Sequence, residues 1–448
     1  MASSAVDSVI HGFLFSTDEM REIFSDKSWA QKWLDTEAAL AKAQGELGVI
    51  PKEKADIINK YADANLLDLA SIGEFYKSSI TIVPLLKAFK KVLPDNAGEF
   101  VHWGATSQDI VDTGLVLLER DAYQVILRDM KECLKHCLTL AKKYRNTAQA
   151  GRTHVVHAIP ITFGYKAAVW ADELGRDIER LEAMKDRVFV GEMAGAVGTL
   201  ASQPEKGLET QKRMMEILGL NVPTIAWHVA RDNQAEFVST LAICAGTIGR
   251  INHEIFSLQH TEILELEEPF FMGKVGSSTM PHKRNPAVLE NVLALCRNVR
   301  SIAPSIVESM VSENERDWGC FLSEWEAIPR ACHMFGAALP KSTSILPSIT
   351  RRSLVQVAQD LGMTVDQRPV EWAEVKAGTF VECGLCGTAA VISPVGEIDN
   401  KVYGADETVT FPAGYTEIGP VMKKLRETLT GIQSGAVEDK HDWVYTVA

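Results

Sequence analysis

FVSTLAICAGTIGRINHEIFSL, residues 237–258, decides the fold. Its apolar positions Phe237, Leu241, Cys244, Ile248, Ile251, Ile255 and Leu258 step by four and three without a miss. That is the seam of a helix lying along other long helices. Leu115, Leu118, Ala122, Val125, Met130, Cys133, Cys137 and Leu140 repeat it more loosely, with Glu119, Arg120, Arg128 and Lys131 between them. Trp170, Leu174, Ile178 and Leu181 make a third stripe, and residues 288–310 offer a fourth helix. Long antiparallel helices with such seams bury them against one another as a bundle. The expectation is a mainly α chain whose central helical bundle spans residues 101–340.

The flanks differ in texture. Residues 1–100 alternate shorter helical patterns with breaks, as in SWAQKWLDTEAALAKAQGELGVIP (28–51), where Gly48 and Pro51 close an amphipathic helix. These read as an N-terminal helical domain. Beyond residue 340, TFVECGLCGTAAVISPVGEI (379–398) mixes glycines with β-branched runs, and GADETVTFPAGYTEIG (404–419) carries no helical period. Short strands and turns, with amphipathic helices at SLVQVAQDLGM (353–363) and VMKKLRETLTGI (421–432), make 341–448 an appended α/β segment.

Composition narrows the function class. Hydrophobic residues make up 46% and charged residues 23%, as in an ordinary globular protein. A net charge of −13 disfavours nucleic acid as a partner, although local cations could still hold a small anion. The start, MASSAVDSVIHGFLF, lacks the basic region and apolar core of a signal peptide, and no apolar run reaches membrane length. A cytoplasmic location is expected. Of eight cysteines only Cys383 and Cys386 form a CxxC, which without a second pair reads as packed thiols in a reducing compartment.

Three polar clusters sit at ends of the expected bundle helices. In GSSTMPHKRNP (276–286), Asn285 and Pro286 make a helix start, Asn capping and Pro at the first helical position. Free amides and the positive dipole end would then point toward Lys283 and Ser277, an anion site to which Lys283 and Arg284 add charge. Gly273 and Gly276 let Ser277 and Ser278 sit on a turn that can move. Removing the proton beside a carboxylate creates a doubly charged aci-carboxylate, which a lysine, an asparagine amide and a helix N-terminus would stabilise. A serine oxygen there could be the base, provided its surroundings lower an ordinarily very weak acidity. The plainer reading is a surface turn before a capped helix.

In AGRTHVVHAIPITFG (150–164), His154 and His157 lie just before Pro160, where side chains can face a cleft; ordinary packed or surface histidines are the alternative. No acidic or cysteine partner completes a metal set there. In VHWGATSQDIVDT (101–113), Thr106 and Ser107 follow Gly104 just before a long helix. Capping by Ser107 or Asp109 would explain that stretch without function.

Together the three clusters resemble the fumarase/aspartase superfamily over residues 1–340, GSSTMPHKRNP being similar to its signature. The resemblance implies a helical homotetramer that builds each site from three subunits. It also implies anti β-elimination from a substituted succinate, usually releasing fumarate; nothing in the residues indicates a required metal, and no cofactor is expected. By motif, Ser277 matches the catalytic base on a mobile loop (267–286), and His154, in GRTH, the group that assists the leaving atom. Thr106 and Ser107, in GATS, match ligands of one carboxylate, and Lys283 and Asn285 ligands of the other. Ser278 beside the base, and Gln234 in RDNQAEF (231–237), match further substrate contacts.

WGATSQD, HAIPITFG and GSSTMPHKRNP look closest to adenylosuccinate lyases and 3-carboxy-cis,cis-muconate cycloisomerases. Adenylosuccinate lyases carry serines and an arginine for the nucleotide phosphate after an ERD step. Here the stretch is ERDWGCFLSEWEAIP (315–329), with Phe321, Leu322 and Trp325 where those groups are expected. An apolar wall cannot neutralise a phosphate dianion. FYKSSITIVPLL (75–86) also lacks the histidine of an Arg-His-Asp step. The cycloisomerase-like branch is expected, acting on a substituted succinate or a carboxymuconate-type dicarboxylate, with adenylosuccinate lyase as the alternative. The tail stretches ILPSITRRSLVQVAQDLGM (345–363), CGTAAVISPVGEI (386–398) and GPVMKKLRETLTGIQSGAVEDKHDWV (419–444) resemble the C-terminal part of a branched-chain aminotransferase of pyridoxal phosphate (PLP) fold type IV. That resemblance implies Ile349, Thr350, Gly387, Thr388 and Ala389 at a PLP site. The family's PLP lysine has no match, so transamination is not expected; an aminotransferase-related fragment and an inactive fusion product are the remaining alternatives.

Overall fold

In the computed structural model, described residues are 4–77, 82–269, 276–280, 283–343, 357–366, 372–387, 391–399, 408–411 and 418–440. Hydroxyl and carboxylate caps begin several helices: Thr17 accepts from Met20 N, Ser25 from Ser28 N, Asp68 from Ser71 N and Thr162 from Tyr165 N. The helices are α1 (Gly12–Phe15), α2 (Asp18–Ile23), α3 (Asp26–Glu46), α4 (Lys52–Tyr61), α5 (Leu69–Tyr76), α6 (Val83–Val92) and α7 (Ser107–Lys143). After a hairpin of β1 (Ala148–Thr153) and β2 (Val156–Thr162) come α8 (Phe163–Val188), α9 (Gly207–Leu218), α10 (Asp232–Leu258), α11 (Ala287–Glu308) and α12 (Trp318–Thr343).

α7 is the spine: α2, α3, α8 and α12 all pack on it, and α9 packs on α3. The periodic positions behave as their spacing demands. Phe237, Leu241, Cys244, Ile248, Ile251, Ile255 and Leu258 are all buried, as are Trp170, Leu174, Ile178 and Leu181. On α7 the stripe from Leu115 to Cys137 is buried, and only its last member, Leu140, is half-exposed. Gly48, with φ +72°, ends α3 as expected, Val49 N returning to Gln44 O at 2.8 Å. One charge departs from expectation. Glu119, one of the charged residues set between the seam positions of α7, is fully buried.

The hairpin between α7 and α8 was not anticipated within an all-helical middle domain. β1 and β2 pair antiparallel with Thr153 opposite Val156, so His154 and Val155 form a two-residue turn at φ 49° and 63°. A left-handed β-branched residue costs on the order of 1–3 kcal/mol. The short segment satisfies its backbone within itself, a pairing that helical periodicity cannot reveal.

Two compact units divide the chain: residues 1–253 with 291–343, and residues 254–290 with 344–448. In the second, Val357, Leu429 and Ile432 form a small core with Leu361, Ile418, Met422 and Leu425. Glu382 accepts from Val421 N and Met422 N, both at 3.1 Å, and so caps the helix Pro420–Ser434. Gly384–Gly387 pairs with Val391–Pro394, and Glu397–Asp399 with Thr408–Thr410, both antiparallel. These agree with the short strands and C-terminal helix expected. Ile349, Thr350, Thr388 and Ala389 lie outside the described residues. No helix among the described residues is long and apolar enough to cross a membrane.

On α12, His333 is buried against Phe24, its Nδ1 2.8 Å from Ser16 Oγ. Burial brings its pKa down to about 4, reinforced by Arg21 and opposed by Asp7. An imidazole harder to protonate when folded contributes stability above its unfolded value near 6.5, lost as pH falls toward 4. Unfolding free energies measured between pH 7 and 4 are expected to fall about 3 kcal/mol more in wild type than in His333→Asn, which keeps a polar partner for Ser16 but cannot titrate.

Candidate active site

The turn ahead of α7 is clamped from several sides. His102 and Gly104 have φ of 66° and 76°, and Ala105 N closes the turn onto His102 O at 3.4 Å. Gln44 Nε2 and Gln203 Nε2 donate to Trp103 O at 2.7 and 3.3 Å, and Ser202 Oγ to Gly104 O at 3.0 Å. Thr106 is the N-cap, and a capping box with Asp109 completes the start. Neither Ser107 nor Asp109 is therefore the cap that the sequence allowed; Ser107 is the first helical residue. Asp109 Oδ2 accepts from Thr106 N and Gly195 N at 2.8 and 3.0 Å, and Oδ1 from Ala194 N and His228 Nε2 at 2.9 and 2.8 Å. One buried carboxylate thus holds the helix start, the 194–195 loop and the segment before α10 in register.

Beneath it runs a buried polar network. Gln108 Nε2 donates to Asp112 Oδ2 at 3.0 Å and to His228 O at 2.7 Å. Arg231, 1% exposed, grips Asp112 with both terminal nitrogens at 2.7 and 3.1 Å and Glu324 through Nε at 2.9 Å. Its guanidinium also lies 5.1 Å from the Trp227 ring centroid and 5.6 Å from that of Phe321. Burial, with the Glu324 and Asp112 charges, pushes Glu119 well above the usual carboxylate range; Arg231 and the Gln234 amide oppose this. Burial likewise pushes Glu192 up to about 9, so it holds a proton at neutral pH.

Asp109, Glu192 and His228 place one ligand atom each within 4.8 Å of one another, an arrangement that could hold a metal ion. Hydrogen bonds already employ both Asp109 oxygens and His228 Nε2, and only Glu192 Oε1 lacks a partner. The group serves as a hydrogen-bond hub without requiring an ion.

Arg316 is a residue whose role the sequence did not disclose. From the ERD step it donates through Nε to Gln108 Oε1 at 2.9 Å and through Nη2 to Ala196 O at 2.8 Å, bringing an exposed cation to the start of α7. The neighbouring wall also differs from expectation. Phe321 is buried under Arg231, and Trp325 packs at 6.0 to 6.2 Å against Trp29, Trp33 and Trp318. Trp318 and Leu322, 42% and 50% exposed, are the apolar side chains presented to solvent there.

The Ser277 segment belongs to the second unit. Ser277 Oγ accepts from Thr279 N at 3.3 Å and Met280 N at 3.0 Å, two amides that would favour an oxyanion over a hydroxyl. Ser278 and Lys283 are exposed and Asn285 is half-buried. The start of α11 is not the open anion site the sequence suggested. Glu268, 2% exposed, accepts from Val288 N at 3.3 Å and Leu289 N at 2.6 Å, filling the place where Asn285 was expected to cap. Arg284 pairs with Glu267 at 2.7 Å, and Lys283 is the exposed cation among the described residues of the motif.

His154 stands exposed at the hairpin tip. Phe163 N bonds Thr147 O at 2.9 Å and Gly164 N bonds Tyr144 O at 3.0 Å, fixing the hairpin base at the C-terminal end of α7. α7 rises about 54 Å from Ser107 to Lys143 and the hairpin reaches back at most about 23 Å, so His154 stays roughly 25 Å or more from Ser107 of the same chain. Gln234 is fully buried with its amide nitrogen on the Glu119 carboxylate. That placement makes it part of the internal network and gives no support to a substrate contact. Thr106, Ser107, His154 and Gln234 thus belong to one unit, and Ser277, Ser278, Lys283 and Asn285 to the other.

A family model described as a lyase matches residues 13–301. The chain belongs to this lyase family, within the fumarase/aspartase superfamily. The lyase is 45% identical over 358 residues to the N-acetyl-S-(2-succino)cysteine lyase of Enterococcus italicus, covering 79% of this chain and 78% of that protein. It is 43% identical over 337 residues to the adenylosuccinate lyase of Methanothermobacter thermautotrophicus, covering 75% of each. Among solved structures, the 3-carboxy-cis,cis-muconate lactonizing enzyme of Pseudomonas putida superposes with a TM-score of 0.70 at 33% identity, covering 78% of the lyase and 83% of that chain. Removing the central cation of the buried network strands two carboxylates. Urea unfolding of Arg231→Met is expected to show a loss of about 3–5 kcal/mol.

Proposed function

We propose that this lyase removes a proton from the carbon beside one carboxylate of a substituted succinate and expels the β-substituent, releasing fumarate. The observation that carries the base assignment is Ser277 Oγ accepting two main-chain N–H groups. An oxygen so placed is stabilised as an anion, and Lys283 on the same segment would add positive charge beside the developing aci-carboxylate. Ser277 takes the carbon-bound proton; the electron pair forms the double bond as the C–S, C–N or C–O bond breaks. His154 returns a proton to the departing atom. Thr106 and Ser107 hold one carboxylate, Lys283 and Asn285 the other, with Ser278 alongside. The same steps reversed close a lactone from a carboxymuconate.

We further propose that each site is shared among chains of a homotetramer. The span of α7 supports this, since it keeps His154 and Ser107 of one chain apart. The exposed apolar side chains Trp318 and Leu322 favour a leaving group without a phosphate dianion, so a succinylated thioether or a carboxymuconate ranks ahead of adenylosuccinate. The aminotransferase-like tail remains a separate proposal; without a PLP lysine, mixing with PLP is expected to leave the absorbance of free cofactor unchanged.

Supplying N-acetyl-S-(2-succino)cysteine, 3-carboxymuconate and adenylosuccinate in turn, and following conjugated-acid absorbance, tests the substrate class. Ser277→Ala is expected to lower kcat by roughly 10²–10⁴-fold while succinate still binds. An undiminished rate excludes the proposed base.

A further inference from the structure

The turn that presents Thr106 and Ser107 carries a histidine held by a buried acid. Glu37, inside α3 and 1% exposed, meets His102 twice: Oε1 lies 2.6 Å from Nδ1, and Oε2 accepts from the backbone N–H at 3.0 Å. His102 adopts φ 66°, a left-handed conformation that this double contact and the closed 102–105 turn hold in place. Its side chain keeps 18% exposure, and Nε2 has no hydrogen-bond partner among the described residues. A carboxylate buried to this degree is paid for by an opposite charge, and the imidazolium is the one in contact.

We infer that Glu37 is a positioning residue for the lyase reaction, holding the Nδ1 side of a charged His102 and so leaving its Nε2 N–H at the start of α7 to help hold a substrate carboxylate. The inference rests on the proposed function, which places that carboxylate at Thr106 and Ser107. Asp109, from α7, adds negative charge near the ring, and Lys90, from α6, adds positive charge. Burial pulls the imidazole's pKa down, but the Glu37 charge and hydrogen bond, with Asp109, outweigh burial and Lys90 and leave it above the ordinary histidine value. His102 therefore keeps its charge to higher pH than a free imidazole, and loses it as pH rises past that elevated pKa. Beside the Thr106 and Ser107 hydroxyls, this cation would orient a dicarboxylate before Ser277 acts.

The test is calorimetric titration of the intact protein with succinate, a dicarboxylate that cannot eliminate, from pH 6 to 9. Wild type should bind well at pH 6 and more weakly as His102 deprotonates. Glu37→Gln keeps the shape but removes the charge and one of the two acceptors, so the fall should begin about one pH unit lower, costing roughly tenfold in affinity at pH 8 with little loss at pH 6. His102→Gln should abolish that limb. Glu46→Gln, on the same helix and paired with Arg213 at 2.6 Å, serves as the control that leaves the pH profile alone. Equal pH profiles for folded wild type and Glu37→Gln overturn the inference, as does a pH-independent loss that tracks a fall in melting temperature. Fumarate release measured in parallel separates the two readings: a protein that binds succinate as described but turns over none of the three substrates retains the Glu37 role and loses the lyase chemistry.

Discussion

Arg231 is the interaction on which the architecture depends. A guanidinium almost wholly removed from water joins Asp112 of α7 to Glu324 of α12 from the position just before α10. Such a group persists only when each charge has its counterpart, so the three helices cannot shift independently without exposing a large electrostatic cost. Gln108 extends the same network to the first turn of α7, and Arg316 grips Gln108 from the ERD segment. The candidate carboxylate-binding turn is thereby tied to this buried network. A site held on such a support can keep its geometry while loops around it move.

The protein fills its own helix starts. Asp109 accepts the amides around the beginning of α7, Glu268 those of α11, and Glu382 those of the helix Pro420–Ser434. Each carboxylate stabilises its helix by the same dipole and hydrogen-bond terms that would attract an external anion. With these termini occupied from within, the groups left for an external anion near the start of α7 are the Thr106 and Ser107 hydroxyls rather than the helix end itself. This arrangement favours selectivity, because a free helix terminus would accept almost any anion.

Much was legible in the chain itself. The seams on α7, α8 and α10 are buried as their spacing requires, because a repeat of three and four residues can satisfy itself only against another helix. Family membership was legible as well, since GATS, GRTH and GSSTMPHKRNP are local strings. Less legible was everything that depends on partners distant in sequence. Glu119 sat in a run of charges and proved buried; Phe321 looked like a pocket wall and proved to lie beneath a guanidinium; the cap of α11 came from Glu268 rather than Asn285. The hairpin escaped notice because its segment is too short for periodicity to separate strand from helix.

By itself, then, the sequence determined which long stretches are helical, which of their faces are apolar and which polar strings carry the family resemblance, all properties set by neighbours within a few turns. Only the tertiary structure decided which carboxylate meets which cation: Glu37 with His102, Asp112 and Glu324 with Arg231, Glu268 with the start of α11. Burial and pairing are properties of the folded chain, and a charge acquires its protonation state and its role from surroundings that no local spacing encodes.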